Sequence, residues 1–490
     1  PLEYLGYQGQ RRTREVVEHI PVDPMAPPPG RVAVMRKRMF DALASRTRDP
    51  RGGVKELAKL AAPLVLTQIL ITAMGVVDAA IVGRLGAAEL GAVGLGGMWS
   101  WTLACFFVGT STAVQTFVSQ HHGAGRLEAC GTWCWQGLAS VVPLAGLAGV
   151  GIFFFADSMI EMLAPTETIA PLATDYIRSR SFGFMGITAA SCMAGFFRGV
   201  GDMQTPLIAT AIANLANLFL DFGLVYGWFG MPKLGVAGAG LATSISEWIY
   251  FAIVASYFFR SSVATKFHSQ FHAPRLKEIR RLWRTGLPIG GQWMIDMLAF
   301  AVFTTFVARM GAAPMAASHA YIQLLSLSFM QAVGISIATT TLVGRYIGAG
   351  ELDIVAKSLR SSLLLGGLLA AFVAALFMLI PAVLLGLFSG DPNVLAFGAP
   401  LLAVGAFYQF FDAIAIISDG ALRGAGDTRW PLIARCLMAW LVFLPLAYLF
   451  AVPIGWGLTG AWIGGLISVV GLSVILVFRF HSGAWRKIRI

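Results

Sequence analysis

The chain has 490 residues, 57% of them hydrophobic and only 12% charged, with a formal net charge of +11. A soluble protein of this length carries roughly 25% charged residues, so a water-soluble enzyme or binding module is excluded for the bulk of the chain. The basic excess would point to nucleic acid only if it were gathered on one surface, and it is instead spread over short segments between apolar runs.

Residues 1–50 are polar and proline-containing (APPPG at 26–30), with an Arg-rich stretch at 31–51, and are expected to be a disordered cytoplasmic tail. No cleavable signal peptide is visible, position 1 is proline, and Met25, Met35 and Met39 are candidate starts. From residue 57 onward, continuous apolar runs recur, each long enough to cross the ~30 Å hydrocarbon core as a helix. Backbone groups in lipid must bond internally, and runs without alternation select helices over a barrel.

Six spans are predicted at 57–83, 90–118, 132–156, 168–197, 204–228 and 236–259. The first contains GVVDAAIVG at 75–83, where Asp78 stands with no cation in its own run. Cys105, Cys130, Cys134, Cys192 and Cys436 lie in or beside apolar segments; no histidine or second cysteine pair joins Cys130 and Cys134, so these read as ordinary membrane cysteines. In the fifth span Asn214, Asn217 and Asp221 share one helix face, a pattern that suits a proton site or a small hard-cation site. After a basic connector come six further spans at 281–308, 314–343, 357–388, 395–422, 430–452 and 458–479, carrying Asp296, Asp412 and Asp419. The expected organisation is a tail (1–50), a first lobe (51–259), a connector (260–280), a second lobe (281–480) and a C-terminal tail (481–490).

With the N-terminus cytoplasmic, 28 of the 36 Lys and Arg fall in inside segments and five in outside ones. The positive-inside rule therefore predicts both termini in the cytoplasm, and the net charge reports topology rather than a nucleic-acid partner.

Self-comparison reveals a repeat. Pro63 matches Pro288, Arg84-x-Gly86-Ala87-Ala88 matches Arg309-x-Gly311-Ala312-Ala313, and Gly123-Ala124-Gly125 matches Gly348-Ala349-Gly350, every pair 225 apart. Arg198-Gly199-x-Gly201-Asp202 matches Arg423-Gly424-x-Gly426-Asp427 at the same offset. Two six-span bundles in one membrane orientation, related by a pseudo-twofold axis along the normal, suit alternating access around a central site.

The repeat also sorts the charges. Arg198, Asp202, Arg423 and Asp427 occupy equivalent turns and read as structural, each Arg–Asp pair tying adjacent helix ends. The acids inside spans have apolar partners instead: Phe303 for Asp78, Leu446 for Asp221, Ile71 for Asp296, Ile187 for Asp412 and Ala194 for Asp419. Each costs ~2.5–3.5 kcal/mol on insertion scales, so such groups line a cavity and serve ions or protons, with a carboxylate tied between helices as the plainer alternative. Glu247, beside Trp248 and Tyr250, has the more ordinary setting, and Arg180 is either a counter-ion or a snorkelling side chain.

Pro63 with VDAAIVGRLGAAEL (77–90), FFRGVGDMQTPL (196–207), LVGRYIGAG (342–350) and IISDGALRGAGD (416–427) together resemble the multidrug and toxic compound extrusion (MATE) family of cation-coupled antiporters. The resemblance covers residues 57–479. It implies an all-α transporter rather than an enzyme, with no cofactor and with H⁺ or Na⁺ as coupling ion. The implied cargo is amphipathic, often cationic, organic compounds, and the implied state is a monomer in the plasma or inner membrane. It further implies a first-lobe cluster of Asp78, Asn217, Asp221 and Thr243, a second-lobe cation site at Asp296 and Asp412 suited to Na⁺, and bending of the first span at Pro63, where a helix hydrogen bond is missing. The fourth-span asparagine of proton-coupled relatives is absent here, leaving Thr188 or Ser191 as substitutes. Asp296 stands where the family more often has glutamate.

Met294, Met297, Tyr321, Met330, Phe410 and Phe411 read first as packing residues, with a soft substrate wall as the alternative. A flippase for lipid-linked sugars would need a cationic cavity, against the acids of these spans. A major-facilitator carrier would show an Asp-Arg-x-Gly-Arg loop, where 119–130 reads SQHHGAGRLEAC. His319, His121 and His122 offer no metal spacing or triad for a membrane enzyme.

Overall fold

The computed structural model describes residues 50–163, 167–386 and 392–488, so the expected N-terminal tail and residues 489–490 lie outside the described residues. The apolar runs are helices, as their backbone requires in lipid. The first half comprises α1 (Val54–Gly83), α2 (Ala87–Gly123), α3 (Leu127–Met162), α4 in two pieces (Ile169–Ser181 and Gly183–Val200), α5 (Gln204–Tyr226) and α6 (Val236–Phe258). The second comprises α7 (Leu276–Ala308), α8 (Ala312–Gly348), α9 (Leu352–Leu379), α10 (Pro392–Gly424), α11 (Arg429–Ala451) and α12 (Gly457–His481). Among the described residues eleven of these are long and apolar enough to cross a membrane. The twelfth rod is α4, whose first piece carries Asp175, Arg178 and Arg180 and so breaks the apolar run. A short helix, Ser261–Phe267, lies in the connector.

The two RGxGD turns fold alike. Gly201 (φ 92°) and Gly426 (φ 81°) adopt the left-handed conformation that only glycine takes without strain. The amides of Asp202 and Asp427 then reach back to the carbonyls of Phe197 and Leu422, both at 2.9 Å, a Schellman closure of each helix. The expected Arg–Asp ties are not the ones these turns make. The Asp202 carboxylate accepts from the Gln204 and Thr205 amides at 3.0 and 3.1 Å and from the Thr205 hydroxyl at 2.6 Å, capping α5. Asp427 pairs with Arg479 of α12 at 2.8 Å, and Arg423 pairs with Asp419, four residues back on its own helix. A carboxylate beside free N-terminal amides is satisfied locally, with no side-chain reach required.

The halves interlock through exchanged helix ends. α1 crosses α8 and α2 crosses α7. Leu57 at the start of α1 is buried in a core built mainly from α8, α9, α10 and α12, while its repeat mate Leu282 at the start of α7 is buried among α2, α3, α4 and α6. Each half thus lends the first turns of its leading helix to the core of the other.

At the end bearing the two turns, pseudo-symmetric hydrogen bonds join the halves. Thr116 donates to the Arg423 carbonyl at 3.1 Å, and its mate Thr341 donates to the Arg198 carbonyl at 2.9 Å. Gln120 donates to the Gly424 carbonyl at 2.9 Å and Gln115 to the Ile337 carbonyl at 2.9 Å. A methyl on Gly123 would lie 1.9 Å from the Arg345 carbonyl oxygen, and one on Gly348 1.9 Å from that of Gln120, so α2 and α8 touch backbone to backbone. Arg51 bonds both oxygens of Glu351 at 2.9 Å, and the Tyr346 hydroxyl donates to Glu56 at 2.8 Å. This end of the molecule is closed.

Candidate functional site

The first-half site forms where α5 lies along α1. Asn214 donates its amide to the Leu70 carbonyl at 2.8 Å, and the Tyr226 hydroxyl donates to the Ile81 carbonyl, fixing α1 at two levels. Asp78 lies between those levels, and its carboxyl comes within hydrogen-bonding reach of Asp221. Asn217, one turn before Asp221, donates to Asp221 Oδ2 at 3.1 Å. Asp221 and Asn217 are buried and Asp78 is half-buried, and Oδ1 of each aspartate is buried with no hydrogen-bond partner among the described residues. Two carboxyls with spare acceptor capacity and one amide donor form a site short of protons.

Thr243 sits on the neighbouring helix α6, but its hydroxyl bonds the Ala239 carbonyl of its own helix at 3.0 Å. Thr188 and Ser191 do not replace the absent asparagine: Thr188 bonds the Phe184 carbonyl and Ser191 accepts from Ser111. The contribution of α4 is Tyr176, buried and within electrostatic range of both Asp78 and Asp221. No motif marked it. Arg180 proves to be a counter-ion, joined by two hydrogen bonds of 3.0 and 2.9 Å to Glu247, with both side chains nearly inaccessible. That fork-to-fork geometry is the strong form of an ion pair and pins α4 to α6.

The second-half acids are not free. Arg435 of α11 donates to Asp296 Oδ2 at 3.2 Å and lies 3.8 Å from Asp419 Oδ2. Gln292 donates to Asp419 at 3.2 Å, and the Arg423 guanidinium bonds Asp419 while lying 5.7 Å over the Trp293 ring. Asp412 lies within electrostatic range of Asp296 and Arg435. Counted by topology among the cytoplasmic charges, Arg435 in fact lies well inside α11, two turns beyond its start. The implied metal cation does not fit here. Its carboxylates gather around a guanidinium, and among the described residues no group of three or more His, Cys, Asp or Glu is placed to hold a metal ion.

Of the six candidate wall residues, Tyr321 is fully buried in the second-half core, and the Met330 sulfur accepts from Gln68 across the halves at 3.5 Å. All five cysteines are free thiols, with Cys130 and Cys134 buried. Pro63 lies within α1, which is helical without interruption from Val54 to Gly83.

Comparison with known proteins agrees with this architecture. The MatE family profile matches residues 63–223 and 288–449, once in each half. A NorM-type multidrug resistance protein of Thermotoga maritima is 30% identical over 434 residues, covering 88% of this chain and 93% of that one. A NorM-type protein of Pseudomonas aeruginosa is 31% identical, covering 88% and 90% respectively. Among solved structures, the eukaryotic MATE transporter AtDTX14 superposes with a TM-score of 0.80 over 88% of this chain and 96% of its own, at 18% identity. A MATE structure in a bent conformation also superposes at 0.80, at 20% identity over 88% of this chain and 96% of that one.

Proposed function

The chain belongs to the MATE family of multidrug efflux transporters, which work by cation-coupled antiport, and on that premise we propose that it exports amphipathic organic cations in exchange for protons held between Asp78 and Asp221. The observation that carries this reading is the approach of those two carboxyls beside Asn217. Two like charges so close in a low-dielectric setting repel, and one shared proton removes the repulsion and fills the empty acceptor positions. An organic cation bound nearby offers the same compensation, so proton and cargo compete for one pair of charges. Only such differential binding lets either ligand shift a conformational equilibrium.

In this reading the lobes 51–259 and 281–480 rock about the axis between them in a single chain, and the state described is closed toward the cytoplasm, where both termini lie. Protonation removes the repulsion between α1 and α5 at this pair and so resets how the two helices pack, and Pro63 gives α1 a place to bend because residue 63 donates no amide to the helix. Asp202, Arg198, Arg423 and Asp427 stay structural throughout.

Proton release tests this directly. Adding a fluorescent organic cation to purified protein in weakly buffered detergent solution should release protons from the wild type and none from Asp221→Asn. Equal release from both proteins would remove the pair from the mechanism.

A further inference from the structure

The charges of the second half arrive as a set. At the repeat positions of Asp296, Asp412, Asp419 and Arg435 the first half has Ile71, Ile187, Ala194 and Thr210, so none of the four belongs to the shared frame. Arg423, by contrast, has Arg198 as its mate and is committed to Asp419. Arg435 is thus the one cation introduced together with three carboxylates, and it stands among them, on Asp296 at 3.2 Å and near Asp419 at 3.8 Å, with Asp412 within electrostatic range. The helix is shaped at this point. A π-helical turn, Met438–Phe443, begins three residues after Arg435 and precedes Pro445, which has no amide to give the preceding turn. Such bulges widen a helix and re-aim its side chains, and they recur at functional positions.

We propose that Arg435 is a tethered cation standing where a metal cation would otherwise be held, so that this protein binds no Na⁺ between Asp296 and Asp412 until Arg435 is removed. A hard cation needs several oxygens closing on one point. Here the Arg435 guanidinium occupies that point, bonded to Asp296 at 3.2 Å with Asp419 3.8 Å away, and its planar fork of N–H donors suits carboxylates that a metal ion would otherwise bring together. The place is reachable: the Asp296 and Arg435 side chains are 26% and 16% exposed, whereas Asp419 is 2% exposed and sealed by Arg423 and Gln292. With Asp419 balanced by Arg423, removing the Arg435 guanidinium leaves Asp296 and Asp412 without a cation, and an incoming one restores balance. This inference goes beyond the proton-coupling reading and stands apart from it, because it concerns an equilibrium in the other half of the molecule.

The test is equilibrium binding of radiolabelled Na⁺ to the purified full chain, paired with thermal unfolding in NaCl against choline chloride. The wild type should show no saturable Na⁺ binding and the same unfolding temperature in both salts. Arg435→Met should bind Na⁺ saturably, with about one ion per chain displaced by excess unlabelled NaCl and not by choline chloride, and unfold higher in NaCl. Adding Asp296→Asn should abolish both effects. Should Arg435→Met not fold in either salt, Arg435→Gln carries the same expectation. Saturable Na⁺ binding by the wild type that Asp296→Asn removes would overturn the proposal, as would a folded Arg435 variant that binds none. Neither result depends on a pH gradient or on Asp78, so failure of proton coupling leaves this outcome unchanged.

Discussion

Asp78 of α1 and Asp221 of α5 hold their carboxyls within hydrogen-bonding reach although 143 residues separate them. Their helices are locked together on either side, by Asn214 on the Leu70 carbonyl and by Tyr226 on the Ile81 carbonyl. The contact is therefore imposed by the packing of α1 against α5, and a change in the charge of the pair acts on the same two helices. That link between charge and helix position is what a coupled transporter requires.

Neutralising one member should uncouple the protein without unfolding it. In Asp78→Asn or Asp221→Asn, substrate affinity should lose its pH dependence. The wild type should bind the cation more tightly at mildly alkaline than at mildly acidic pH, because the proton competes. A coupling of ~1–3 kcal/mol, about 5- to 150-fold in affinity, is the range to expect, read by fluorescence titration.

The Arg180–Glu247 pair is a structural clamp with a measurable signature. Arg180→Met strands a buried carboxylate and should cost ~3–5 kcal/mol, whereas Arg180→Met with Glu247→Met should recover most of that loss. Thermal unfolding of the two variants in detergent checks the ordering; equal destabilisation would count against the clamp.

Closure of the end bearing the RGxGD turns should depend on the absence of side chains at Gly123 and Gly348. A methyl at either position meets a carbonyl oxygen at 1.9 Å, so Gly123→Ala and Gly348→Ala should each hold α2 and α8 apart. Spin labels on the two helix ends should report a longer distance and transport should fall. Thr116→Val should act more gently, removing one hydrogen bond worth ~0.5–1.5 kcal/mol, and Thr341→Val should cost more, because its hydroxyl also accepts from Gln115 at 3.0 Å.

The repeat mates Asp202 and Asp427 should respond differently to the same change. Asp202→Ala removes a helix cap and should cost ~1 kcal/mol, with Arg198→Leu having no further effect through it. Asp427→Ala instead releases Arg479, and its effect should vanish in an Arg479→Leu background. A double-mutant cycle on each pair separates the cases.

Much of this organisation was legible in the sequence. Span length, the offset of 225 and the left-handed glycines of both turns follow from local rules, and the structure carries each. Asp78 and Asp221 stood out because neither has an acidic repeat mate. What local rules do not reach is pairing between distant helices. Arg435 follows a basic helix start at Arg429, so it resembled another cytoplasmic charge until folding turned it toward Asp296, 139 residues away. Arg180 and Glu247 were each ambiguous alone, and only the packing of α4 on α6 joins them. Tyr176 was missed because an aromatic residue in a charged helix end carries no pattern of its own. The expected Arg–Asp ties failed for a different reason: helix amides adjoining Asp202 offered it nearer partners than Arg198.

The most direct test of proton-coupled efflux is transport of a fluorescent organic cation in proteoliposomes with an imposed pH gradient, an imposed Na⁺ gradient, or neither. The pH gradient alone should drive cation movement opposite to the protons, the Na⁺ gradient should drive none, and Asp221→Asn should be inert to both. Transport driven by Na⁺ at constant pH, or pH-driven transport of wild-type size in Asp221→Asn, would contradict it.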